Sequence, residues 1–78
     1  MSILKHNIFM DKLFCENLKS ARKYSNLTQK EVAKKLNVVE SCYANWEQGR
    51  TEPNIDSLRQ LSIIFNVSLD ELIKNKLY

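Results

Sequence analysis

Between Asp11 and Lys23, apolar residues return at Leu13, Phe14, Leu18 and Ala21, set among Lys12, Glu16, Lys19, Arg22 and Lys23. This i, i+4 recurrence predicts a helix of about three turns with one face turned inward. Ahead of it, Met1–Met10 mixes Ile3, Leu4, Ile8 and Phe9 with Lys5, His6 and Asn7. No period settles that stretch, which reads as an N-terminal arm or a short extra helix at residues 1–10, followed by a domain at residues 11–78.

The next helix start is marked by chemistry as well as by period. Thr28 followed by Glu31 forms a capping box, in which the Thr28 hydroxyl accepts from the Glu31 amide and the Glu31 carboxylate from the Thr28 amide. Leu27 and Val32 flank it as a hydrophobic staple. The second helix is predicted to run to Leu36, burying Val32, Ala33 and Leu36 and exposing Lys30, Lys34 and Lys35. Asn37 ends it, because Asn enters the left-handed region at low cost. A third helix over Val39–Gln48 sets Tyr43, Trp46 and Glu47 on one side and Glu40, Ser41, Ala44, Asn45 and Gln48 on the other. Gly49 closes it, and a loop follows through Arg50, Thr51, Glu52 and Pro53. Asn54 offers the N-cap of a fourth helix, with Ile55, Leu58, Leu61, Ile64 and Phe65 as its apolar stripe. Ser68 and Glu71 repeat the capping box, with Val67 and Leu72 as staple, and open a fifth helix through Lys76. The pattern contains no strand and no repeat, so the fold class is all-α, a compact five-helix domain.

A chain of 78 residues allows one small domain, and a large catalytic cleft is excluded at this size. With 44% hydrophobic and 27% charged residues, one Gly and one Pro, the composition is globular and favours helices. Cys15 and Cys42 have no neighbouring Cys or His at metal-ligand spacing, so they read as reduced, partly buried thiols and no metal is expected. His6 is the only histidine and has no partner for a general-base role. Without a nucleophile–base pair the chain is not read as an enzyme, and no cofactor is expected. Apolar runs stay short and no basic-then-apolar leader opens the chain, which points to a soluble cytoplasmic protein without a membrane partner.

Charge changes the picture more than composition does. Through Lys35 there are eight Lys or Arg against three acids; from Leu36 onward there are four against six. The basic half suits a polyanion, although a solvated helix surface carries the same charges.

Two short helices joined by a tight turn, with Gln29 heading the first and a polar-faced second, follow the helix-turn-helix plan. Leu18, Arg22, Leu27-Thr28-Gln29, Glu31-Val32-Ala33, Trp46-Glu47, Gly49-Arg50, Pro53 and Val67-Ser68-Leu69-Asp70-Glu71-Leu72 keep the order and spacing of a known family. In these the chain resembles the phage-repressor-type (Cro-like, XRE) helix-turn-helix family over residues 13–73. The run from Tyr43 to Asn54 looks like small repressors of bacterial or phage mobile elements. That family usually has Gly where Asn26 and Asn37 stand, and often Ser or Thr where Val39 stands. The third helix is therefore expected to lack a side-chain cap, at a cost of ~0.5–2 kcal/mol.

The resemblance implies a lambda-repressor-like architecture with Arg22 and Glu47 paired beneath the third helix, two solvated charges being the alternative. Ala33 is small where two helices cross closely, and Trp46 belongs to the core with its indole N–H near the rim. Gln29, Gln48 and Arg50 match positions that contact the DNA backbone; Glu40, Ser41 and Asn45 match positions that reach base edges. Glu40 has a second reading, as a charge that merely repels phosphate. The function implied is a sequence-specific double-stranded DNA-binding transcriptional regulator, a repressor acting as a homodimer on a palindromic operator. Alternatives are an antitoxin or restriction–modification controller of the same fold, with a toxin or anti-repressor protein as partner, and a protein-interaction module that does not touch DNA. Leu69, Leu72 and Ile73 are expected to close the core, leaving Leu77 and Tyr78, or Ile8 and Phe9, as apolar surface for a second subunit.

Overall fold

The computed structural model describes the backbone of residues 2–74 and the side chains of residues 12–74. Five helices follow one another: α1 (Ser2–Tyr24), α2 (Gln29–Leu36), α3 (Glu40–Gln48), α4 (Ile55–Phe65) and α5 (Leu69–Ile73), with no strand among the described residues. Thr28, Asn54 and Ser68 each accept, through the side chain, the amide three residues on, at 3.0, 2.8 and 3.0 Å. Glu31 and Glu71 return the bond to the Thr28 and Ser68 amides, completing both capping boxes. Val39 heads α3 with no side-chain cap.

One device ends the first four helices. Asn26, Asn37, Gly49 and Asn66 turn into the left-handed region, with φ of 59, 62, 77 and 56°. The next amide then reaches back to the carbonyl five residues earlier: Leu27 to Arg22, Val38 to Ala33, Arg50 to Asn45 and Val67 to Ser62, at 3.0–3.1 Å. This Schellman geometry satisfies carbonyls that a helix end otherwise leaves orphaned. At three of the four ends the residue that follows is apolar: Leu27, Val38 and Val67 pack against the core.

Every helix contributes to that core: Leu18 and Ala21 from α1, Val32, Ala33 and Leu36 from α2, Tyr43 and Trp46 from α3, Leu61 and Phe65 from α4, and Leu72 from α5. Ala33 is 2% exposed, and its short side chain lets α2 lie close against α3 and α4. α1 packs on α3 and on α5.

The N-terminal boundary differs from the sequence pattern. Helical backbone begins at Ser2, well ahead of the Asp11 at which the apolar stripe starts. The expected continuation of α5 to Lys76, and the apolar pair Leu77 and Tyr78, lie outside the described residues, as do the side chains of Ile8 and Phe9. Ile55, assigned to the inner stripe of α4, is 67% exposed. Leu58, Leu61 and Phe65 set the inward direction, and Ile55 sits about a quarter turn off it. In α5 only Leu72 is fully buried; Ile73 is half-buried and Leu69 is 37% exposed.

Candidate nucleic-acid interface

α2, the turn at Asn37–Val39 and α3 form the helix-turn-helix, and the placement of α3 decides what it presents. Tyr43, Trp46 and Glu47 are its buried residues. The opposite side carries Glu40, Ser41 and Gln48, all exposed, with Ala44 and Asn45 half-buried between them. Arg50 is exposed just beyond Gly49. A shallow groove between α2 and the head of α3 is lined by Lys30 and Lys34 on one wall and by Val39 and Glu40 on the other. Glu40 at the head of α3 and the cationic face of α2 therefore border the same depression.

Behind that face lies a clamp drawn from three helices. Arg22 of α1 donates through Nε to Glu47 Oε2 at 2.7 Å and through Nη2 to Oε1 at 3.2 Å. Its Nη1 donates to the carbonyl of Leu27 at 3.1 Å, tying the pair to the turn before α2. Gln29, at the head of α2, donates through Nε2 to Glu47 Oε1 at 3.0 Å. Two-pronged guanidinium–carboxylate bonding fixes orientation as well as distance, so the clamp sets how α3 is rotated about its own axis. The resemblance gave Gln29 a DNA-backbone contact; the structure places its amide on Glu47, half-buried, with one N–H left to point elsewhere.

Titration follows from the same geometry. Burial pulls the Glu47 carboxyl upward, but the donors at Arg22 and Gln29 outweigh it and hold its pKa below the ordinary value. Burial pushes the Tyr43 phenol far above its ordinary range, and the adjacent Glu47 carboxylate acts in the same direction. Among the described residues the Tyr43 hydroxyl is the buried side-chain polar atom without a hydrogen-bond partner. Tyr43 meets Trp46 edge to face, with ring centroids 5.9 Å apart and planes at 75°.

Two contacts around this unit were not read from the sequence. Cys15 donates its thiol to the Trp46 carbonyl at 3.1 Å and lies where a Cβ on Gly49 would meet its Sγ at 3.4 Å, so α1 also braces the C-terminal end of α3. Asn17, 2% exposed, donates to the carbonyl of Leu72 at 2.9 Å and joins α1 to α5. A signal for Asn17 exists: it stands four residues after Leu13 and four before Ala21, on the apolar face of α1. Cys15 and Cys42 are half-buried thiols, and no cluster of three His, Cys, Asp or Glu among the described residues is placed to hold a metal. No helix is long and apolar enough to cross a membrane among the described residues.

Comparison with known proteins points the same way. Residues 18–72 match the family model described as helix-turn-helix. The HTH-type transcriptional regulator YqaE of Bacillus subtilis (strain 168) is 42% identical over 64 residues, which cover 82% of this chain and 55% of that protein. The HTH-type transcriptional activator BcrR of Enterococcus faecalis is 38% identical over 63 residues, covering 81% of this chain and 31% of that protein. Among solved structures, the SOS-response transcriptional repressor LexA of Eubacterium rectale superposes with a TM-score of 0.80 at 31% identity, over 86% of this chain and 71% of that one. The chain thus spans about half the length of YqaE and less than a third of BcrR.

Proposed function

The chain belongs to the XRE-type helix-turn-helix family, and from that premise we propose that it is a sequence-specific double-stranded DNA-binding regulator of transcription, a repressor that acts as a homodimer on a palindromic operator. The observation that carries the reading is the clamp on Glu47: it fixes α3 with Glu40 and Ser41 exposed and Asn45 half-buried on the side away from the core, Glu40 sharing a groove with Lys30 and Lys34 of α2. In this reading α3 enters the major groove, where Asn45 pairs with adenine, Glu40 accepts from cytosine and Ser41 is permissive. Gln48, Arg50 and the second amide proton of Gln29 meet phosphates, which position the protein without reading sequence. So few base contacts per subunit favour two copies on two half-sites. BcrR is described as an activator and LexA as a repressor; repression is the simpler assignment here, because occupying an operator that overlaps a promoter needs no further contact.

Selection of bound fragments from genomic DNA, including the gene's own upstream region, followed by footprinting, tests the reading. Two or three phosphates neutralised per subunit give a slope of log K against log salt of about −4 to −5 for the dimer. An affinity indifferent to salt contradicts DNA binding. A reporter driven by the selected site falls when the protein is present, and a rise would assign activation instead.

A further inference from the structure

Val39 stands at the head of α3, and 68% of it is exposed. A lone apolar side chain on a surface is ordinary; this position is not. Thr28, Asn54 and Ser68 head α2, α4 and α5, and each caps its helix through a side-chain oxygen. Val39, with φ of −74° and ψ of 154°, has the extended backbone of a cap and no oxygen to use. Valine is among the poorest residues at such a position. The core gains nothing in exchange, because the apolar contact at the turn is made by Val38, which packs against it. Val39 lies instead in the shallow groove that holds Glu40, with Lys30 and Lys34 on the opposite wall.

We infer that Val39 reads DNA, by packing its methyl groups on the C5 methyl of a thymine in the major groove. The inference rests on the proposal that α3 enters that groove, and it adds a contact of a different kind from those of Glu40, Ser41 and Asn45. Base edges there present mainly hydrogen-bond donors and acceptors, which an isopropyl group can only cut off from water, at a cost. The thymine methyl is the one apolar group among the four bases. A valine at the head of the helix therefore favours thymine by contact and penalises the other bases by desolvation. Branching at Cβ restricts χ1, so little side-chain freedom is lost when the contact forms.

The test uses the full chain and its selected operator, made as a synthetic duplex in which thymine is the only source of a C5 methyl. Each thymine of a half-site is replaced in turn by uracil, which pairs as thymine does and removes only the methyl. At one position the change is expected to cost wild type about fourfold in affinity per half-site, the ~0.8 kcal/mol of one carbon taken out of water. Val39→Ala binds the thymine operator more weakly than wild type and does not distinguish it from the uracil operator. Val39→Ser supplies the missing cap, so its urea midpoint rises while its preference for thymine is lost, which separates the contact from the stability of α3. The proposal is overturned if no exchange of thymine for uracil weakens wild type, or if the wild-type loss persists undiminished in Val39→Ala, which would give the methyl to another residue. Failure of the regulator reading shows differently, as wild type binding every duplex alike with no operator selected, and it overturns both.

Discussion

Arg22 reaches from α1 to hold both carboxylate oxygens of Glu47, at 2.7 and 3.2 Å, where only 1% of the Glu47 side chain is exposed. Removing either partner strands the other charge in a poor environment. Glu47→Ala is expected to cost about 3 kcal/mol, read as a lower urea midpoint. Replacing both, as in Arg22→Met with Glu47→Leu, costs less than the two single changes added together, because no charge is left unpaired. A midpoint unchanged in Glu47→Ala would mean that the clamp does not hold α3.

Stability should fall toward acid and alkaline pH, through different residues. The folded pKa of Glu47 is lowered, so its contribution is full above the unfolded value of about 4.3 and is lost as pH falls through the folded one. Glu31, drawn down by the Thr28 amide, has the same sign. Tyr43 is shifted the other way: its contribution is present below the unfolded value of about 10 and declines as pH rises beyond it. Glu47→Gln flattens the acid limb of a plot of melting temperature against pH, and Tyr43→Phe the alkaline limb. At neutral pH Tyr43→Phe is close to neutral or stabilising, since it removes an unpartnered buried hydroxyl.

Helix boundaries were the most legible part of the fold because local chemistry sets them. Thr28 with Glu31, Ser68 with Glu71, Asn54, Asn37 and Gly49 each act within a few residues of chain, and each stands where the sequence places it. The inward side of α3 was legible as well, since Tyr43, Trp46 and Glu47 are the residues the core takes. What escaped depends on partners far along the chain. Asn17 and Leu72 lie 55 residues apart, and Gln29 and Glu47 lie 18 apart. No local period shows that a buried amide will meet a helix end, or that an amide on a polar surface will turn inward. Ile55 misled for a related reason: as the first residue of α4 it fits an i, i+3 pattern with Leu58, while the core draws the helix about a quarter turn away.

The Asn17 amide is a latch between α1 and α5. Asn17→Ala leaves the Leu72 carbonyl without its donor and opens a small void, costing about 1–3 kcal/mol. Loss should concentrate in α5: its amides exchange faster in hydrogen-exchange measurements, while those of α2, fixed by its own capping box, change little. Uniform acceleration across all helices would show that Asn17 acts on the whole core instead.

Gln29 joins the clamp to the proposed phosphate contact. Gln29→Glu sets a second carboxylate against Glu47, which raises the Glu47 pKa and lowers the urea midpoint at pH 7. DNA affinity should drop by the same factor on cognate and random duplexes, because a phosphate contact is indifferent to sequence. A change confined to the cognate site would make Gln29 a reader of bases.

The outward face of α3 carries the sequence-reading hypothesis, and its residues separate by the kind of contact they make. Asn45 is half-buried on that face. Asn45→Ala is expected to lose ~1–3 kcal/mol on the selected operator and much less on random DNA, since a base-edge contact counts only where the right base is present. Glu40 is exposed at the head of the helix, beside Lys30 and Lys34. If it accepts from cytosine, Glu40→Gln weakens cognate binding. If it only repels phosphate, non-specific affinity rises while cognate affinity holds. Competition assays with cognate and random duplexes at fixed salt distinguish these outcomes. Should both variants leave the ratio of cognate to random affinity unchanged, α3 is not the reading helix, and the clamp on Glu47 serves stability alone.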